Sequence, residues 1–272
     1  MTSVLVTIPV RNEEHWIEPC VRGLRTALAA TPWDWRIAIA EDGSTDGTSA
    51  VLRRLQGEFP DLIVASNPTR LGRGLALRRL WTGRSEDVFL FVDADLASGT
   101  GAVVLAIQEV LRGADVVTGS RYAEGAEVNR PPVRSLVSMG YNRVARILFR
   151  EGVQDHQCGL KALSRRAVEI LLPVTREDSW FWDTEVLVLA ARSGVGVREI
   201  PIHWHEPRVD RTRWKRLLGD VYLHGTRLLS LLGRIDAAVL DAQERANPGL
   251  AMSLKERSVS NAHPVPARPA TP

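Results

Sequence analysis

Two cysteines, Cys20 and Cys158, are all that the 272-residue chain contains, so a disulfide framework is excluded and a reducing compartment is indicated. No apolar run approaches the roughly 18 residues that a membrane-spanning helix needs. The first residues lack the basic and apolar segments of a secretory signal peptide. A formal net charge of +3 is too small to favour nucleic acid as a partner. We therefore expect a cytoplasmic protein whose membrane contact, if any, is peripheral and at the inner face of the membrane.

Two common phosphate-binding motifs are also missing. The first predicted strand is not followed by G-x-G-x-x-G, and the chain has no G-x-x-x-x-G-K-[ST]. A dinucleotide oxidoreductase and a P-loop NTPase are therefore disfavoured. Gly72 and Gly74 lie in a loop after the third predicted strand, where Arg73 is expected to reach phosphates.

Short apolar runs alternate with helical patterns along most of the chain. This alternation predicts an α/β fold, with a mostly parallel sheet covered by helices on both faces. The predicted strands are 4–8, 36–40, 62–65, 88–92, 115–118 and 196–202. The predicted helices are 13–30, 48–55, 74–81, 102–111, 133–149, a segment after Asp183, and 214–240.

The C-terminal part of the chain differs in composition from the rest. We expect the α/β domain to span residues 1–216, an amphipathic helix to span 217–245, and a proline-rich disordered tail to span 246–272. A basic, aromatic stretch at 208–216 leads into that helix, which favours contact with a membrane surface. The alternative is an ordinary helix packed on its own domain.

Polar residues follow four of the predicted strands, and ligands of open parallel sheets bind beyond the carboxyl ends of strands. Asp93 and Asp95 follow the apolar strand 88–92. Carboxylate oxygens suit Mg²⁺ or Mn²⁺, so Asp95 is a candidate metal ligand. Asp93 would contact a ribose or assist the metal. The alternative is that both residues cap a turn or a helix.

A second polar cluster occupies the tight turn at 41–47. Gly43 and Gly47 permit a positive φ, and the hydroxyl and carboxylate side chains between them can cap the next helix. Asp42 lies nearest the strand end and is the candidate ligand contact, for example to a nucleotide base. A purely structural role for Asp42 is the alternative.

Taken in order, these motifs resemble those of inverting family 2 glycosyltransferases with the GT-A fold. The first-half motifs are IPVRNEE at 8–14, EDGSTDGT at 41–48, DAD at 93–95 and GSRY at 119–122. In the second half, DHQCGLK at 155–161 is similar to the D-x-Q-C-G-x-K segment of dolichyl-phosphate mannose and glucose synthases. WDTEVL at 182–187 and EIPIHW at 199–204 also match that subgroup. The resemblance covers roughly residues 4–216.

The resemblance implies a Rossmann-like GT-A fold and a hexosyltransferase. The donor would be a nucleotide sugar of the GDP-mannose or UDP-glucose type, the acceptor a polyprenyl phosphate, and the cofactor Mg²⁺ or Mn²⁺. It also implies roles for matching residues. The nucleotide pocket would use Pro9, Arg11, Glu13 and Asp42, and the diphosphate and metal would be held by Asp93, Ala94 and Asp95. A donor or acceptor phosphate would meet Arg121. The acceptor side would use Gln157, Lys161, Arg208 and Arg213.

The sequence departs from the family pattern at four places. Arg11 stands where an aromatic residue is frequent, and Glu41 replaces the usual aspartate. Ala97 stands where some relatives carry glutamine, so a second metal ligand is in question. Residues 210–213 (DRTR) replace the usual G-x-S-K after the late strand, which weakens the assignment of Arg208 and Arg213.

The acceptor decides whether a general base is needed. A phosphate monoester has a second pKa of about 6, so it attacks without losing a proton to the protein. Asp183 is then expected to orient the sugar or the acceptor. With a hydroxyl acceptor, Asp183 or Glu185 would have to act as the base. A family 2 transferase with a non-lipid hydroxyl acceptor, and a silent nucleotide-sugar-binding module, therefore remain as alternatives.

Overall fold

The computed structural model describes residues 1–205 and 214–247, with the backbone alone for 132–134 and 214–222. Arg208, Arg213 and the predicted tail beyond 247 lie outside the described residues. The strands are β1 (Ser3–Val10), β2 (Asp34–Asp42), β3 (Ile63–Asn67), β4 (Val88–Val92), β5 (Val116–Ser120), β6 (Glu127–Asn129), β7 (Leu160–Ser164), β8 (Val197–Pro201) and β9 (His203–His205). The helices are α1 (Ile17–Ala29), α2 (Thr48–Glu58), α3 (Arg73–Trp81), α4 (Gly99–Leu111), α5 (Pro132–Phe149), α6 (Arg165–Leu171), α7 (Trp182–Ser193), α8 (Trp214–Leu232) and α9 (Ile235–Ala246).

Seven of the strands form one sheet in the order β3-β2-β1-β4-β7-β5-β8. Six run parallel, and β7 enters between β4 and β5 in the opposite direction. The predicted mostly parallel α/β fold is confirmed. The sequence pattern does not predict β7, α6 or the small parallel pair of β6 and β9.

The sheet separates two apolar cores, because successive side chains of a strand point to opposite faces. In β4, Phe89 and Phe91 pack with Trp81 of α3 and Trp182 of α7. Val88, Leu90 and Val92 face the other core, which includes buried residues of α1, α2 and α4. Both faces of β4 are therefore buried, as its unbroken apolar run predicts.

The C-terminal segment forms two helices where the sequence predicts one. Gly233 follows α8, and α9 begins two residues later. Glycine is a poor helix former, which favours a break there. Leu228, Leu231, Ile235 and Val239 are buried in the same core as Phe89. At least this part of the segment therefore packs on the α/β domain, while its boundary at residue 216 stays a prediction. None of the helices in the described ranges has the length and hydropathy to cross a bilayer.

Buried ion pairs fix the C-terminal helices to the domain. The Glu185 carboxylate is fully buried and accepts from the backbone N–H of Glu177 at 2.8 Å and from Arg234. Glu177 in turn accepts from Arg227 at 2.8 Å and from Arg234 at 3.4 Å. Arg234 thus bridges two carboxylates that are almost inaccessible to water.

Replacing Arg234 with methionine is expected to lower the free energy of unfolding by about 2–3 kcal/mol, since it leaves Glu185 buried without a counter-charge. The loss stays below that of a fully enclosed pair because the Arg234 side chain is 20% exposed. Chemical denaturation measures it. The matched control is Arg192→Met, which breaks a pair with the 81%-exposed Asp236 and should cost less than about 1 kcal/mol. Equal losses in both variants would contradict this account.

Candidate active site at the carboxyl edge of the sheet

A cleft opens beyond the carboxyl ends of β1, β2 and β4. It collects side chains from loops that are distant in sequence, as the strand-end argument predicts. Its lining includes Pro9, Arg11, Glu13, Asp42, Arg70, Gly72, Arg73, Asp93, Ala94, Asp95, Arg121, Gln157, Trp180 and Trp204. All the candidate site residues in the described ranges line it except Lys161, Asp183 and the alternative base Glu185.

The loops after β1 and β2 hold each other in place. Asn12 adopts a φ of 58°, a left-handed conformation that asparagine tolerates better than most residues. Its side-chain oxygen accepts from the backbone N–H of Thr45 at 2.8 Å, and its own N–H donates to Ser44 at 3.0 Å. The N–H of Glu13 donates to Thr48 at 2.8 Å. These bonds position Arg11 and Glu13 on the cleft wall.

Asp42 holds the loop that leads into α3. Its carboxylate accepts from the backbone N–H groups of Leu71 and Gly72, the second at 2.9 Å. Gly72 has a φ of 98°, and a Cβ there would lie 2.3 Å from the carbonyl oxygen of Asp178. Asp42 therefore helps to set the start of α3, where Arg73 lies. A contact between Asp42 and a nucleotide base stays a prediction.

Arg73 joins two of the predicted aspartates. Its guanidinium donates to Asp93 at 2.8 Å and also to Asp183, and its side chain is 6% exposed. Asp183 is fully buried behind Arg73 and does not reach the cleft wall. The ring of Trp180 covers the guanidinium with its centroid 4.2 Å from Cζ. Asp183 thus acts on the cleft through the position of Arg73.

The antiparallel strand β7 brings the second half of the chain to Asp93. The backbone N–H of Asp93 donates to the carbonyl of Gly159 at 2.9 Å. A Cβ at position 159 would lie 2.0 Å from Oδ2 of Asp93, so only glycine fits beside this carboxylate. In the sequence, the glycine of the 155–161 motif is the feature that corresponds to this close contact.

Arg121 is tied to a buried carboxylate. Asp155 accepts from the backbone N–H of Arg121 at 3.0 Å and from its Nε and Nη2 at 2.7 Å each. Burial alone would raise the pKa of Asp155, but the charge and hydrogen bonds of Arg121 outweigh it and lower the pKa. The ring centroid of Trp204 lies 5.1 Å from Cζ of Arg121. Arg121 is therefore fixed at the cleft wall as a permanent cation.

Gln157 and Lys161, from the same motif, have different positions. Gln157 lines the cleft and donates to Thr184 at 2.7 Å. Lys161 is fully buried, and its ammonium donates to the carbonyls of His156 at 3.1 Å and Cys158 at 2.9 Å. The structure does not bring Lys161 to the cleft wall. It holds the loop that carries Gln157 instead of facing an acceptor phosphate.

The cleft offers oxygen ligands for a divalent cation. Asp93 and Asp95 both line it. Burial raises the pKa of the Cys20 thiol, and the charges of Asp95 and Asp93 raise it further. Within the described residues no group of three or more His, Cys, Asp or Glu side chains is placed to hold a metal. This set fits Mg²⁺ or Mn²⁺ that takes its other ligands from a diphosphate and water.

Two further cleft residues are not predicted from the sequence. Arg70 and Trp180 both line the cleft, and Trp180 is 54% exposed. Trp180 precedes the WDTEVL motif by two residues, which is the one signal that could have found it. Glu185, the other candidate base, accepts from three groups inside the core and lies away from the cleft.

The fold and the cleft define the GT-A-like class of α/β proteins, with two aspartates after a central strand. Residues 5–172 match the family model described as glycosyl transferase family 2, and the chain belongs to that family. The family predicted from the motifs is therefore confirmed.

Curated relatives and solved structures agree with this family. Glycosyltransferase AglD of Haloferax volcanii is 38% identical over 230 residues, which cover 84% of this chain and 36% of AglD. Dolichyl-phosphate beta-glucosyltransferase ALG5C of Trichomonas vaginalis is 28% identical over 211 residues, which cover 73% of this chain and 63% of that protein. The chain thus spans about a third of the first relative's length and less than two thirds of the second's.

A crystal structure of glucosyl-3-phosphoglycerate synthase from Mycobacterium tuberculosis has the same fold. It contains Mn²⁺, UDP-glucose and phosphoglyceric acid. It superposes with a TM-score of 0.63 at 20% identity, over 85% of this chain and 80% of that one.

Proposed function

We propose that this chain transfers a hexose from a nucleotide diphosphate sugar to a polyprenyl phosphate, with inversion and with Mg²⁺ or Mn²⁺ as cofactor. The observation that carries the proposal is the composition of the cleft. The cleft contains two carboxylates separated by one residue, Asp93 and Asp95, together with the four arginines Arg11, Arg70, Arg73 and Arg121. A cation held by the carboxylates would neutralise charge that builds on the departing nucleotide diphosphate.

The arginines divide into two kinds. Arg73 and Arg121 are nearly buried and held by carboxylates, so they present fixed positive edges to the cleft. Arg11 and Arg70 are exposed, and no carboxylate of the described residues forms an ion pair with either. Fixed cations such as Arg73 and Arg121 stabilise developing negative charge without rearranging during the reaction. Two anionic reactants, a diphosphate donor and a phosphate acceptor, would suit such a cleft.

The state of Asp183 favours a phosphate acceptor over a hydroxyl acceptor. A general base must reach the proton that it removes. Asp183 is fully buried and bonded to Arg73, so it lacks access to an acceptor in the cleft. A phosphate dianion needs no base, and this removes the difficulty. The relative ALG5C, named for a dolichyl-phosphate acceptor, supports the same choice. The working surface would then lie at the inner face of a membrane.

A transfer assay with the full chain tests the proposal. The chain is incubated with a polyprenyl phosphate and with radiolabelled GDP-mannose, UDP-glucose or UDP-N-acetylglucosamine, and the product is extracted into an organic phase. With one donor and Mn²⁺ or Mg²⁺, we expect label in the organic phase, and EDTA should reduce it roughly 100-fold or more. The matched acceptor is the polyprenol without its phosphate, which should take up no label. Labelled polyprenol would favour the hydroxyl-acceptor alternative. Metal-dependent nucleotide binding without transfer to any acceptor would favour the silent binding module.

A further inference from the structure

Helix α5 presents a row of large apolar side chains to solvent. Leu136 is 70% exposed, Ile147 66%, Met139 52% and Val144 47%. Their spacings of three, five and three residues keep them on one side of the helix, while Asn142 and Ala145 are buried on the other. Soluble proteins seldom leave such a contiguous row uncovered, and it marks an interaction surface.

The same helix is rich in positive charge and has no negative charge. Its sequence contains Arg134, Arg143 and Arg146, and Arg150 follows it directly, with no aspartate or glutamate from 132 to 150. Among the described residues, no carboxylate forms an ion pair with Arg143, Arg146 or Arg150.

The arginines of α1, in contrast, are neutralised by nearby carboxylates. On α1, Arg22 pairs with Glu18 and Glu58, and Arg25 pairs with Asp61. The exposed apolar residue of α9, Leu240, is followed by Asp241 and lies in a helix that also carries Asp236 and Glu244. The combination of exposed apolar side chains with unneutralised arginines distinguishes α5 from these helices.

The position of α5 links this surface to the cleft. On its buried side, the Tyr141 hydroxyl lies 2.6 Å from the hydroxyl of Thr184, which accepts from Gln157 at 2.7 Å. Gln157 lines the cleft. One side of α5 thus abuts the site, and the other exposes Leu136, Met139, Val144 and Ile147.

We propose that the exposed face of α5 docks on an anionic phospholipid bilayer. Apolar side chains of an interfacial helix enter the zone between headgroups and acyl chains, and arginines meet lipid phosphates. A second copy of this chain fits less well, because two uncompensated arginine rows would face each other. The inference deepens the proposed function and rests on it for its purpose, since a lipid-linked acceptor must be reached at a bilayer.

Vesicle flotation of the full chain tests the surface without donor or acceptor. We expect binding to phosphatidylglycerol–phosphatidylcholine vesicles that weakens at high salt. The double variant Leu136→Gln with Ile147→Gln should lower the partition coefficient roughly tenfold or more. Arg143→Gln with Arg150→Gln should lower it roughly 25-fold, since each basic residue contributes about fivefold.

The matched control is Leu240→Gln, because Leu240 is 62% exposed but lies in an acidic helix. It should bind vesicles like the wild type. The proposal is overturned if the wild type does not bind anionic vesicles, or if the Leu136 and Ile147 variant binds as tightly as the control. A concentration-dependent dimer that this variant abolishes, without vesicle binding, would assign the face to self-association instead.

Transfer assays separate this proposal from the proposed function. With a short-chain polyprenyl phosphate dispersed in detergent, the α5 variants should retain wild-type turnover, because they leave the cleft intact. Turnover in detergent without vesicle binding would reject the docking surface and keep the transferase. Vesicle binding without transfer from any donor would reject the transferase and keep the surface.

Discussion

Replacing Gly159 with alanine is expected to lower kcat/KM for the proposed hexose transfer roughly 100-fold, because a misplacement of about 1 Å at reacting groups has an effect of that size. The added Cβ would lie 2.0 Å from Oδ2 of Asp93. The carbonyl of Gly159 also accepts from the N–H of Asp93 at 2.9 Å, so the two backbones are fixed beside each other. The Asp93 side chain must therefore move, and with it the pairing to Arg73 at 2.8 Å.

The matched control is Gly152→Ala. A Cβ at position 152 meets no atom within 4 Å, so the same substitution should leave kcat/KM within about twofold of the wild type. Near-UV circular dichroism of both variants checks that they are folded. A folded Gly159→Ala enzyme that keeps wild-type kcat/KM would show that the Asp93 carboxylate is not needed where the structure places it.

Replacing Asp155 with asparagine is expected to lower the free energy of unfolding by about 3–5 kcal/mol at neutral pH. Asp155 is fully buried and accepts three hydrogen bonds from Arg121. The amide removes the counter-charge and turns an N–H donor toward the guanidinium, so a buried cation is left without compensation. The control Asp61→Asn breaks the exposed pair with Arg25 and should cost less than about 1 kcal/mol.

The pH dependence of that difference gives a second measurement. Arg121 lowers the folded-state pKa of Asp155 from its ordinary value of 3.8. A carboxylate with a lowered folded-state pKa stabilises the protein above its unfolded pKa and loses this contribution as the pH falls through the folded-state value. The difference between wild type and Asp155→Asn should therefore be constant from pH 7 to about 5 and shrink below about 4. A difference unchanged down to pH 3 would contradict the assigned ion pair.

The sequence predicts the cleft well where a strand and its end suffice. Asp42 and Asp93 follow apolar runs that form parallel strands, and the carboxyl ends of such strands share one edge. Neither residue needs a distant partner to be placed there. This is why separate weak motifs predicted one site.

The partners of these side chains could not be predicted in the same way. Lys161 lies in β7 with its ammonium bonded to carbonyls of the preceding loop, and a lysine inside a five-residue strand hides the apolar pattern of that strand. Asp183 was predicted to meet a ligand, but its partner Arg73 lies 110 positions earlier in the chain. Sequence gives the type of a polar group, and tertiary structure decides which groups satisfy it when buried.

Strand β7 runs antiparallel to its neighbours β4 and β5, and it brings a later part of the chain to the cleft. The cleft therefore has two walls that come from different parts of the sequence. One wall comes from residues before 96, and the other from residues between 121 and 204. The two walls are joined by the backbone hydrogen bond between Asp93 and Gly159 and by the ion pair of Arg73 and Asp183. We therefore expect that loops of the later wall that lie away from these two contacts can be exchanged while Asp93 and Arg73 keep their positions. Under the proposed function, in which Asp42 and Asp93 serve the donor, such exchanges would change acceptor preference and leave donor binding as it is.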